Sequence, residues 1–154
     1  MVSTAIHEAA HIASAIMLGR HVDHPTLTVG HTLPGEELGH ARIPIREEVE
    51  ASQVVVCLAG YMSENRDGWP PSYEDALDER REALGLVLLD LGATEQQYEQ
   101  LIELTRDLLA DEDFIRLRDA IARALSVAKR LEREDIEALC RATHIPIPEQ
   151  EIAA

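Results

Sequence analysis

The chain is short of positive charge. It carries 14 Lys and Arg against 29 Asp and Glu, a formal net charge of −15, and Lys129 is its single lysine. Phosphate-binding surfaces need basic patches to displace counterions, so neither a nucleic-acid partner nor an anionic membrane surface is expected. No glycine-rich run precedes Lys129, which excludes a Walker A loop and with it a P-loop ATPase. Aromatics are scarce too: one Phe, one Trp and three Tyr, in a chain that is 45% hydrophobic. The core must therefore be aliphatic. The two cysteines, Cys57 and Cys140, belong to no CxxC or Cys/His cluster and read as reduced thiols. No apolar run approaches the roughly 18 residues of a membrane span, and the first residues lack the basic segment of a signal peptide. A cytoplasmic location follows as the expectation.

What is present is mostly helical pattern. The 154 residues suffice for one domain with its own core, expected over residues 1–142 with a C-terminal tail over 143–154. A first helix is expected to about Leu18, with Ser3 and Thr4 as caps and Gly19 as the stop. Residues 25–29 and 38–45 read as short strands around the turn residues Pro34-Gly35, so a small β-hairpin or sheet follows this helix. Helical character returns over 46–66, with Glu47, Glu48 and Glu50 in its opening turns. Asp67-Gly68-Trp69-Pro70-Pro71 breaks it, and Ser72 with Asp75 opens a helix expected to run to Leu91 before Gly92. Thr94 and Gln97 have capping-box spacing ahead of a helix that places Leu101, Leu104, Leu108 and Leu109 on one side. An amphipathic helix from Phe114 to about Lys129 and a short one over 133–140 complete the chain. The fold class is mainly α (α+β).

The chemistry lies in the first helix, where His7-Glu8-Ala9-Ala10-His11 spells HExxH. Residues four apart share a helix face, so both imidazoles can converge on one Zn²⁺, and Glu8 can take the proton of an attacking water. Shuffling this composition yields the pattern about 0.04 times per chain. The motif sits among Ala5, Ile6, Ala9, Ala10, Ile12, Ala13 and Ile16, an apolar setting in which a polar trio needs a reason, and a metal supplies one. A catalytic zinc takes a third protein ligand. The metzincin continuation fails, because Ser14 and Met17 stand at its glycine and third-histidine positions. Two carboxylates remain, Glu64 and Asp75, and spacing does not choose between them. His21, His24, His31, His40, Tyr61 and Tyr73 read more simply as surface or packing groups than as site residues.

The order of these segments resembles the zinc peptidase domain of FtsH-type ATP-dependent proteases over residues 5–142. HEAAH stands where that family has HEAGH. Glu37-Leu38-Gly39-His40-Ala41-Arg42-Ile43-Pro44 matches its strand segment. Leu58-Ala59-Gly60-Tyr61-Met62-Ser63-Glu64-Asn65 is in register with its LGGRxAEE helix, and Leu131-Glu132-Arg133-Glu134-Asp135-Ile136 echoes its closing LxxxEI. Pro71-Ser72-Tyr73-Glu74-Asp75 occupies the place of the TGAxxD loop whose aspartate binds zinc. The resemblance thus implies a helical, zincin-like peptidase domain that cuts peptide bonds, with Zn²⁺ on His7, His11 and Asp75 and Glu8 as general base. Ala10 replaces the family's glycine, and TGA is absent. No ATPase module accompanies the domain, so its expected substrates are peptides or unfolded chains, alone or with a separate partner protein. The alternative is a metal-binding or protein-interaction module of the same fold without turnover. The sequence sets no oligomeric state.

Overall fold

The computed structural model describes residues 3–19, 24–31, 37–42, 51–64, 70–77 and 82–147. The protein is mainly helical. Helix α1 spans Ser3–Met17. It is built on small residues, and Ala5, Ala9, Ala10 and Ala13 are all at most 1% exposed. Small side chains let neighbouring helices approach closely, and α1 packs between α2 (Ala51–Glu64) and α6 (Glu112–Ala128). It ends where Gly19 adopts φ +75° and donates its N–H to the Ile16 carbonyl at 3.0 Å. Residues 43–50 and 65–69 lie outside the described residues, and with them Glu47, Glu48 and Glu50 of the expected first turn.

Strands β1 (His24–His31) and β2 (Glu37–Arg42) pair antiparallel, Gly30 opposite Leu38, with an irregularity between His24 and Leu27. The two-residue β3 (Arg130–Leu131) adds to the other side of β1, giving the order β2-β1-β3. This sheet joins the early hairpin to the segment that directly follows α6.

The stretch expected as one helix over 72–91 is two. Ser72 does cap, accepting the Asp75 N–H at 3.1 Å, but α3 is the single turn Tyr73–Ala76, and α4 begins anew at Glu82–Leu91. Gly85 of α4 lies against α3: a Cβ there would come within 2.8 Å of the Ala76 carbonyl. Nine residues along one continuous helix would be separated by about 13 Å, so this contact requires the chain to fold back. Helix α5 (Glu95–Leu109) carries the expected Thr94–Gln97 capping box. Its buried stripe is Tyr98, Leu101, Ile102 and Thr105, while Leu104 is 57% exposed, so the apolar side is rotated from the expected one.

Two aliphatic clusters form the core. One joins Ile12 and Ile16 of α1 to Phe114, Leu117, Ile121 and Leu125 of α6, with Leu131 beneath. The other joins Val54, Leu58 and Met62 of α2 to Leu84, Leu88, Tyr98 and Ile102. Each fully buried side chain of this size contributes about 1.5–3 kcal/mol. Leu108 and Leu109 touch both clusters. Because α1 belongs to the first and α2 to the second, the α1–α2 contact is the seam between them. Helix α7 (Arg133–Thr143) runs one turn beyond the expected 133–140. The expected tail is packed where it begins: Thr143 and Ile145 are buried, Ile145 N–H donates to the Cys140 carbonyl at 2.9 Å, and Arg116 donates twice to the Thr143 carbonyl, at 2.8 and 3.1 Å. No helix among the described residues is long and apolar enough to cross a membrane.

Candidate metal centre

The polar trio of α1 faces α2 across the seam. His11 donates its Nδ1–H to the backbone carbonyl of Val56 at 2.7 Å. A carbonyl only accepts, so the proton is on Nδ1 and the lone pair is on Nε2. His7 places Nδ1 2.8 Å from Oε2 of Glu64, an acceptor that holds the proton on Nδ1 in the same way. Both lone pairs then meet, with His7 Nε2 2.9 Å from His11 Nε2. Two lone pairs at that distance repel unless a cation lies between them, either a shared proton or a metal ion. Two nitrogens at about 2.0–2.1 Å from a tetrahedral Zn²⁺ sit about 3.4 Å apart, so the rings need to separate by only about half an ångström.

Glu8 completes the group. The ligand atoms of His7, Glu8 and His11 all lie within 4.8 Å of one another. Glu8 is 4% exposed, and its Oε2 is buried without a hydrogen-bond partner. A buried carboxylate oxygen with no donor is costly, and a cation or a reacting water would satisfy it. Burial pushes the Glu8 carboxyl up from 4.5 to about 7, and the Glu64 carboxylate adds to the rise. Burial, then the adjacent His7, bring His11 down from 6.5 to about 4, against a smaller opposing effect of the Val56 carbonyl. A neutral imidazole at neutral pH is the form that binds metal.

Glu64 therefore reaches the site through His7, in the carboxylate–histidine arrangement that orients a ligand ring and raises its basicity. Asp75 does not join the cluster. It is exposed on α3, where its N–H is tied to Ser72, and among the described residues His7, Glu8 and His11 are the donors that come together. The close approach of Gly85 to the Ala76 carbonyl packs α3 on α4. His21 lies outside the described residues; His24 and His31 are on β1 and His40 on β2. Tyr61 packs edge-on to His7, with ring centroids 5.3 Å apart, and Tyr73 donates its hydroxyl to the Ala93 carbonyl at 2.8 Å.

Two contributors escaped sequence reasoning: the Val56 carbonyl and Gly60. A Cβ on Gly60 would run into Cε1 and Nε2 of the His11 ring and lie 2.8 Å from its Nδ1. A glycine inside a helical pattern is the signal that marks such a position. No family model, curated protein or solved structure matches the chain.

Proposed function

We propose that the protein is a zinc-dependent endopeptidase of the HExxH class, with a zincin-like arrangement resembling the FtsH peptidase domain. The observation that carries the reading is the pair of Nε2 atoms 2.9 Å apart, each with its Nδ1 committed to an acceptor, beside a buried carboxylate oxygen that has no partner. Nitrogen donors with a carboxylate suit Zn²⁺, which when bound polarises a carbonyl and makes water acidic enough to react at neutral pH. His7 and His11 would hold the ion through Nε2. Glu8 would accept a proton from the attacking water on Oε2 and return it to the departing amine. Glu64 keeps His7 in its ligating tautomer. The resemblance gives the third ligand position to Asp75, while Glu64, the carboxylate found at an imidazole, acts through His7; loss of zinc retention in Asp75→Ala assigns the ligand to Asp75. Its substrates would be peptides or unfolded chains, or proteins delivered by a separate partner.

Metal analysis of the purified protein and cleavage of an unstructured polypeptide, with and without chelator, test the reading. One zinc per chain and cleavage that chelation abolishes and zinc restores are expected. Stoichiometric zinc without cleavage identifies the alternative, a metal-binding interaction module. Absence of bound metal overturns both.

A further inference from the structure

We propose that Gly60 is a positioning residue of the metal centre, and that the α2 turn from Val56 to Gly60 is a rigid backbone seat that sets the tautomer and place of the His11 imidazole before any ion arrives. Gly60 is buried in the middle of α2. Glycine there is a poor choice for the helix itself, weakening it about fivefold in equilibrium constant relative to alanine, or about 1 kcal/mol. The gain lies across the seam. A Cβ at this position would overlap the His11 ring, which is held on both of its nitrogen sides. The Val56 carbonyl holds its Nδ1 side at 2.7 Å, and His7 Nε2 stands on its Nε2 side at 2.9 Å. Its own backbone is fixed by Ala9, Ala10, Ile12 and Ala13, all fully buried.

The two imidazoles are therefore held differently. His11 is seated on backbone, which cannot change rotamer. His7 is held by side chains: the Glu64 carboxylate at 2.8 Å and the edge of the Tyr61 contact at 5.3 Å. Glu64 is 45% exposed at its side chain and is free to follow a small displacement. The half-ångström separation that an ion demands falls on His7, while His11 stays in place. The inference rests on the peptidase reading only for the identity of the ion, and the seat is tested without cleavage.

The test is a double-mutant cycle in chelated protein, followed by urea unfolding. Gly60→Ala is expected to destabilise the native background but to stabilise the His11→Ala background about fivefold in the unfolding constant, as glycine-to-alanine replacement does in an unobstructed helix. Equal effects in both backgrounds overturn the proposal. Where Gly60→Ala alone does not fold, the comparison of His11→Ala with the double variant still decides: destabilisation there refutes it. Nitrogen-15 NMR of metal-free protein at neutral pH is expected to show His11 protonated on Nδ1; an unprotonated Nδ1 refutes the seat. Co²⁺-loaded Gly60→Ala should lose the intense visible absorption of a tetrahedral site, and an unchanged spectrum counts against the proposal. None of these readouts uses cleavage, so failure of the peptidase reading leaves them interpretable.

Discussion

Replacing Glu8 by Gln separates the cost of this carboxylate from its use. The side chain is 4% exposed, its Oε2 has no partner, and its pKa rises from 4.5 to about 7. A carboxyl that is harder to ionise in the folded state than in the unfolded one contributes stability that is intact below about pH 4.5. That stability is lost as pH rises through 7. At about 1.36 kcal/mol per pKa unit, the loss is about 3 kcal/mol. In metal-free protein at pH 8, Glu8→Gln should therefore be more stable than the native chain by up to that amount. For a chain of this length, the corresponding Tm rise is about 6–12 °C. At pH 4.5 the two should nearly coincide, because the native carboxyl is then protonated. Bound zinc stabilises the ionised carboxylate and erases the difference, while turnover of the zinc-loaded variant drops about 10²–10⁴-fold for want of the base. Thermal unfolding at both pH values in chelator, with cleavage measured in parallel, reads all of this. Identical Tm values at pH 8 would refute the buried, unpartnered carboxylate, and full turnover would remove Glu8 from the chemistry.

Other outcomes follow from the same geometry. His11 is brought down to about 4, so its protonation opposes folding; metal-free protein should lose about 3 kcal/mol more than His11→Ala as pH falls from 6.5 to 4, measured by urea midpoints. Glu64→Ala frees the Nδ1 of His7 and should weaken zinc retention about 10–100-fold in chelator competition, and an unchanged affinity contradicts the orienting role. In the same assay, Asp75→Ala should weaken zinc retention if its carboxylate completes the coordination, and no change removes it from the ligand set. Tyr98→Phe deletes a hydroxyl that donates to the Pro71 carbonyl at 2.6 Å; about 1 kcal/mol, or a Tm drop of about 2–4 °C, is expected with zinc stoichiometry untouched.

Much of the helical layout was legible because it is local. The stops at Gly19 and Gly92, with φ of +75° and +61°, the Ser72 cap and the Thr94–Gln97 box each depend on residues within about four positions. So does the convergence of His7 and His11, which one helical turn guarantees. Leu104 was misplaced because an amphipathic stripe is ambiguous by about one residue until a partner surface selects its face. The break between α3 and α4 was hidden because helix propensity continues through it, and only the packing of Ala76 on Gly85 requires the reversal.

By itself, then, the amino-acid order determined a mainly helical chain with an aliphatic core and two imidazoles and a carboxylate on one turn of its first helix. The tertiary structure alone decided what surrounds them. Glu64 is 57 residues from His7 in the chain and Val56 is 45 from His11, yet both make hydrogen bonds to these rings. The reason is physical: spacing along one helix is set by its own 3.6-residue period, whereas which acceptor meets a ring nitrogen is set by how closely two helices cross. Here, alanines on α1 and a glycine on α2 permit that close approach.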